Sequence, residues 1–133
     1  MSRTPLSLVI GHLYPDLMNL YGDRGDVICL TRRCQWRGIE VRVVEIGLAE
    51  PLKASAFDLI FIGGGQDKEQ RLVAHDLQRG KGEAIHLAVE EGVVVLAICG
   101  GYQLFGRYYR PATGPDLPGI GLFPIETVHK GTD

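Results

Sequence analysis

Long apolar runs are absent from this chain. No stretch approaches the roughly 20 residues of a membrane-spanning helix, and the first residues lack the basic-then-apolar pattern of a secretory signal. Cysteine is scarce: the 3 cysteines cannot all pair, none forms Cys-x-x-Cys, and no His/Cys spacing suits a metal. Cys29 and Cys34 fall within one predicted helix, where packing is a simpler role than ligation. Reduced thiols in a cytoplasmic chain, with no metal or other cofactor, are therefore expected. Neither sign of charge dominates. The 14 Lys and Arg against 16 Asp and Glu leave a formal net charge of -2, which gives nucleic acid no electrostatic footing. The local cluster Arg32, Arg33 and Arg37 is what a helix surface commonly carries. What is present suffices for one soluble domain with a core: 133 residues, 45% hydrophobic and 23% charged. The 18 glycines sit mostly at predicted element ends, so they mark turns rather than low complexity.

The stretch VVVLAICGGYQLFG (Val93–Gly106) organises the rest. A short valine-rich run bounded by glycine reads as a strand buried on both faces. Behind it, Ile98-Cys99-Gly100-Gly101 must turn sharply from strand to helix. That is the geometry of a nucleophile elbow, with Ala97 and Gly101 at the small positions flanking Cys99. A following helix would point free N–H groups at the sulfur and favour thiolate. The pattern leaves a second reading open, a buried and inert cysteine at a strand end.

In chain order, Leu6–Ile10 reads as a buried strand ending at Gly11-His12. Leu13–Gly22 reads as a structured loop with a helical turn. Asp23 can cap a helix over 24–37, with Val27, Leu30 and Cys34 on one face and Gly38 as its stop. Ile39–Ile46 alternates as a strand near a sheet edge. After a connector with Pro51, Phe57–Ile62 is a central strand emptying into Gly63-Gly64-Gly65. Lys68–Gln78 and Glu83–Glu91 read as helices broken at Gly80-Lys81-Gly82. Past the elbow, Gln103–Tyr109 continues a short helix, Arg110–Gly119 is loop, and Gly121–Val128 is a last strand with Pro124 at an edge or bulge.

This alternation predicts an α/β fold: an open, mostly parallel sheet flanked by helices on both faces. Sites in such sheets lie beyond the carboxyl ends of the strands. The loops after Gly11-His12, at Gly63–Gly65 and at Cys99 all leave from that edge. A triple glycine beside a nucleophile exposes N–H groups suited to an oxyanion hole, together with the N–H of Gly100. The alternative, a phosphate loop, lacks both G-x-G-x-x-G after the first strand and a Gly-Lys-Ser/Thr ending.

The segment AICGGYQ (Ala97–Gln103) is similar to the nucleophile segment of class I glutamine amidotransferases. YPDLMNLYGDRGD (Tyr14–Asp26) and FIGGGQDKEQ (Phe61–Gln70) resemble a narrower group, the cobyric-acid-synthase-like glutaminases, and within it the GatD subunits of lipid II isoglutaminyl synthases. The three motifs stand in family order and span nearly the whole chain. The resemblance implies a flavodoxin-like sheet and L-glutamine as substrate. It also implies ammonia passed to a MurT-like ligase subunit that amidates D-glutamate of the peptidoglycan stem peptide. By position it implies Cys99 as nucleophile, Gly64, Gly65 and Gly100 as backbone donors facing the tetrahedral oxygen, and Gln103 as a substrate-holding residue. A thiolate would form a glutamyl thioester, ammonia would leave, and water would release glutamate.

The leaving nitrogen needs a proton, and the resemblance places the histidine that supplies it well downstream of the elbow. The chain ends at Asp133, and His12, His75, His86 and His129 do not match that position. His75 and His86 fall on predicted helices, His12 in the loop after the first strand, His129 beyond the last strand. A single domain over 1–133, incomplete at its C-terminus, is therefore expected. So are little activity of this chain alone, and self-association or partner docking through uncovered sheet surface. Two rivals stand beside this reading: DJ-1/PfpI-type cysteine-elbow proteins, disfavoured by the lack of a carboxylate in Leu6–Leu13, and a non-catalytic ligase-binding module of the same fold.

Overall fold

The structure, a computed structural model, describes residues 6–20 and 22–131. Tyr21 of the Tyr14–Asp26 motif and Asp133 lie outside the described residues. Four strands form the main sheet: β1 (Ser7–Leu13), β2 (Glu40–Ile46), β3 (Leu59–Ile62) and β4 (Val94–Ala97). All pairings are parallel and the spatial order is β2-β1-β3-β4. The connection from β1 to β2 runs outward one way and that from β3 to β4 the other. Right-handed crossovers then place α1 (Asp23–Gln35) on one face and α2 (Asp67–Asp76) with α3 (Gly82–Glu90) on the other. The direction reverses between β1 and β3, and the loops leaving their carboxyl ends open a crevice there.

Register explains where the core sits. Leu13 pairs with Ile62, and Ile62 with Ala97, so these share a face. That face packs Leu13, Ile46, Ile60 and Ile62 against Val73, Leu77 and Ile85 of the α2–α3 layer. The opposite face carries Ile10, His12 and Phe61, all buried. There α1 contributes little: of its residues only Asp23 and Val27 are buried.

Several boundaries differ from expectation. Gly11 and His12 lie inside β1, because pairing continues to Leu13 on both sides, with Ile46 and with Ile62. β4 is the sheet edge among the described residues, not a strand covered on both faces, and Val94 is 58% exposed. Asp23 is the first residue of α1 and not its cap; Gly22 holds the cap position at φ 74. Cys29 is exposed rather than packed, and Cys34 is half-buried. The helix after the elbow, α4 (Gly100–Phe105), stops at Gly106, and the chain becomes β5 (Tyr108–Arg110). That strand pairs antiparallel with β6 (Leu117–Pro118) and parallel with β7 (Glu126–Val128), a small second sheet in place of a longer helix. The expected break between α2 and α3 is present as a wide helical turn over Leu77–Lys81, where Gly80 takes φ 112. Among the described residues no helix is long and apolar enough to cross a membrane.

Candidate active site

At the end of β4 the Ile98 N–H still donates to Ile62 O at 3.0 Å, and the next residue leaves the sheet. Cys99 adopts φ 54 and ψ −112, a left-handed backbone that a side-chain-bearing residue rarely takes. Such a conformation costs on the order of 1–3 kcal/mol and persists only where surrounding contacts impose it. Those contacts are visible. The Gly101 N–H donates to Gly63 O and Ile98 O, each at 3.0 Å, and the Gln103 N–H donates to Cys99 O at 3.0 Å. A methyl group at Gly101 would lie 2.7 Å from Ile62 Cγ2 and 2.9 Å from Gly63 O, so only glycine lets α4 seat this closely on β3. The Cys99 side chain is left exposed at the apex. With 6 residues, α4 is too short for its dipole to dominate; the strained turn and the adjacent glycines define the site.

The glycine turn after β3 abuts this elbow. A methyl at Gly64 would lie 3.0 Å from Cys99 Cβ and 3.3 Å from Sγ; one at Gly100 would lie 3.2 Å from Gly65 N. The structure thus brings Gly64, Gly65 and Gly100 together with the sulfur. Their amides are not equivalent. The Gly64 N–H donates to Asp23 Oδ2 at 3.2 Å, and Gly64 O accepts from Leu20 N–H at 3.1 Å. The Gly65 and Gly100 N–H groups have no protein acceptor among the described residues. The loop after β1 supports the turn from below: a methyl at Gly65 would meet Met18 Sδ at 2.8 Å and Leu17 O at 2.9 Å.

Residues 9–132 match the CobB/CobQ-like glutamine amidotransferase domain. The chain belongs to that family. It is 40% identical over 126 residues to the GatD subunit of lipid II isoglutaminyl synthase (glutamine-hydrolyzing) from Streptococcus pneumoniae, covering 95% of this chain and 48% of that protein. To the Staphylococcus aureus GatD it is 41% identical over 123 residues, covering 92% and 50%. A cobyric acid synthase from Pelotomaculum thermopropionicum is 33% identical over 99 residues, 71% of this chain and 18% of that one. The chain thus spans about half the length of the GatD relatives it matches. A Listeria monocytogenes structure described as a peptidase E protein superposes with a TM-score of 0.58 at 13% identity, over 92% of this chain and 66% of that one. At that identity it supports the α/β fold alone.

The amidotransferase domain holds further polar side chains near the elbow that its sequence did not single out. Gln70 on α2 is 3% exposed, and its Nε2 donates to Gln103 Oε1 at 3.0 Å. The Tyr109 hydroxyl donates to Asp67 Oδ1 at 3.2 Å. Burial raises the Tyr109 hydroxyl pKa, and the charge and hydrogen bond of Asp67 add to the shift, with Cys99 contributing least. Gln70 and Asp67 both belong to the FIGGGQDKEQ motif, so the signal was present in the quoted residues without a chemistry attached.

The four histidines stand elsewhere. His12 is buried in β1, its ring edge-on to Phe61 at 5.2 Å. Burial, then the Arg24 charge, lowers its pKa. His75 is exposed on α2. The His86 ring meets Ile120 O, and the His129 N–H donates to Arg110 O after β7. Among the described residues no histidine bonds to the Cys99 sulfur, and no group of three or more His, Cys, Asp or Glu side chains converges as a metal site would.

Proposed function

We propose that Cys99 is the nucleophile of a glutaminase that releases ammonia from L-glutamine. The observation that carries this reading is the strained Cys99 turn at φ 54, with Gly64 pressed against the sulfur. The thiolate attacks the carboxamide carbon, and the oxygen takes up negative charge beside the unengaged Gly65 and Gly100 N–H groups. The intermediate collapses to a glutamyl thioester as the nitrogen leaves with an added proton, and water then hydrolyses the thioester to glutamate. Gln103, held beside the elbow, orients the substrate. The Gly64 amide serves the turn through Asp23 rather than the oxygen directly. Proton transfer to the leaving nitrogen needs an acid–base group, and among the described residues no histidine bonds to the Cys99 sulfur to supply it.

The GatD relatives support a more specific role: a glutaminase subunit in a cytoplasmic complex with a MurT-like ligase, amidating D-glutamate of lipid II with the ammonia released. The test is glutamine hydrolysis by the protein together with its ligase, wild type against Cys99→Ala. Loss of glutamate and ammonia release in the variant, with ligase activity rescued by added ammonium, is the expected result. Retained hydrolysis in Cys99→Ala would overturn the assignment.

A further inference from the structure

We propose that Gln70 is a positioning residue: it fixes which end of the Gln103 amide faces the substrate, so that Gln103 offers N–H groups to the α-carboxylate of glutamine. This rests on the glutaminase reading above and goes beyond it by naming a residue, an atom and the substrate group it meets.

Gln70 is almost wholly cut off from water, at 3% exposure. A buried amide must use its donors internally, or the lost hydration goes uncompensated. Its Nε2 is spent on Gln103 Oε1 at 3.0 Å. The amide also packs against the elbow, since a methyl at Gly100 would sit 2.9 Å from Gln70 Cδ and 3.0 Å from Nε2. Gln70 therefore touches both the turn that carries Cys99 and the side chain one helical turn beyond it. With Oε1 of Gln103 turned to Gln70, its Nε2 lies at the other end of the amide and carries the donors a ligand can meet. Glutamine has two acceptor groups, the carboxamide oxygen and the α-carboxylate. The first belongs to the backbone donors at Gly65 and Gly100, so the α-carboxylate falls to Gln103.

The test uses the chain itself and the glutamine-shaped electrophile 6-diazo-5-oxo-L-norleucine, read by intact and peptide mass spectrometry. Saturation of the labelling rate gives an apparent affinity and a maximal rate, and the methyl ester of the reagent reports the carboxylate contact. Iodoacetamide, which needs no glutamine pocket, reports the accessibility of Cys99. Gln70→Glu can only accept, so Gln103 must turn and present its oxygen to the carboxylate. Gln70→Met removes the donor without adding charge.

The expected result is saturable labelling of wild type at Cys99 with a preference for the acid over the ester. Gln70→Glu should weaken apparent affinity about tenfold, one charge-assisted hydrogen bond's worth, and erase the preference. Gln70→Met should fall between. Maximal rate, iodoacetamide rate and melting temperature should stay near wild type in Gln70→Met. Wild-type affinity and preference in both variants would overturn the inference and leave the glutaminase reading standing. A parallel fall in diazo-norleucine and iodoacetamide rates would make Gln70 merely structural and overturn it too. Failure of wild type to label saturably at Cys99 would sink the glutaminase reading and the inference together.

Discussion

Removing the ammonium of Lys81 tests how the loop beneath the site is held. Asp76 ends α2 and Lys81 closes the wide turn that follows, with side chains 11% and 4% exposed, and Nζ meets Asp76 Oδ2 at 2.6 Å. Nζ also donates to Gly47 O at 2.8 Å and sits 4.6 Å above the Tyr14 ring, while the Tyr14 hydroxyl donates to Asp76 Oδ2 at 2.6 Å. The Ala49 N–H completes the set on Asp76 Oδ1 at 2.8 Å. One carboxylate thus ties the β2–β3 connector, the end of α2 and Tyr14, and Tyr14 begins the loop whose Leu17 and Met18 underlie Gly65. Lys81→Met keeps the aliphatic stem and deletes the buried charge, leaving the half-buried Asp76 with Tyr14 and Ala49 but without its cation. Breaking a buried pair this way costs about 3–5 kcal/mol, against roughly 0–1 kcal/mol for an exposed one. For a domain of this size each kcal/mol moves the midpoint by roughly 3–5 °C. Thermal unfolding by circular dichroism should therefore show a drop of about 10–20 °C. A drop under about 5 °C, the range of a surface pair, would refute the buried tether.

The same network fixes the sign of a pH effect. Burial alone would raise the Asp76 pKa, but hydrogen bonds from Lys81, Tyr14 and Ala49, with the Lys81 charge, hold it below the ordinary carboxylate value. Its contribution is present above the unfolded-state pKa and is lost as pH falls through the lower folded-state pKa. Melting curves from neutral pH into the acid range should thus converge for wild type and Lys81→Met; a gap that widens on acidification would contradict this. Two glycine-to-alanine variants should separate site from scaffold. At Gly64 the backbone is unstrained and the added methyl meets Cys99 Cβ at 3.0 Å and Sγ at 3.3 Å. Gly64→Ala should cut labelling by a glutamine analogue at least about tenfold with little change in melting temperature. At Gly101 the methyl collides with Ile62 Cγ2 at 2.7 Å and with Gly63 O and Ile62 O at 2.9 Å. Gly101→Ala should destabilise by about 1–3 kcal/mol; equal melting points for the two variants would count against the geometry.

Much of this architecture was legible in the residues because local signals and tertiary packing agree. The run Phe57–Ile62 into three glycines and the run Val93–Ile98 into Cys-Gly-Gly each needed a strand, a tight turn and a helix, and each has them. The misses share one cause: a side chain has a local use that sequence exposes and a distant one that it hides. Asp23 stands where a cap belongs, yet its carboxylate reaches Gly64 across 41 positions of chain. Lys81 sits between two glycines in what reads as a solvated break, yet Tyr14 and Gly47 fold over it. His12 follows a glycine that punctuates the apolar pattern, but pairing with β2 and β3 carries the strand through it. Tyr108–Arg110 has no periodicity of its own and becomes a strand only because β6 and β7 come alongside. Gln70 and Gln103 are ordinary polar helix residues until the fold stacks α2 beside α4.

Of the three thiols, that of Cys99 is set apart by the turn that carries it. Exposure does not distinguish them, since Cys29 and Cys99 are both exposed. Treating the folded chain with 6-diazo-5-oxo-L-norleucine and mapping the adduct by peptide mass spectrometry separates shape from access. Modification at Cys99 alone, suppressed by excess L-glutamine, is the expected result. Adducts spread over Cys29 and Cys99 alike, or labelling at Cys99 indifferent to glutamine, would contradict it.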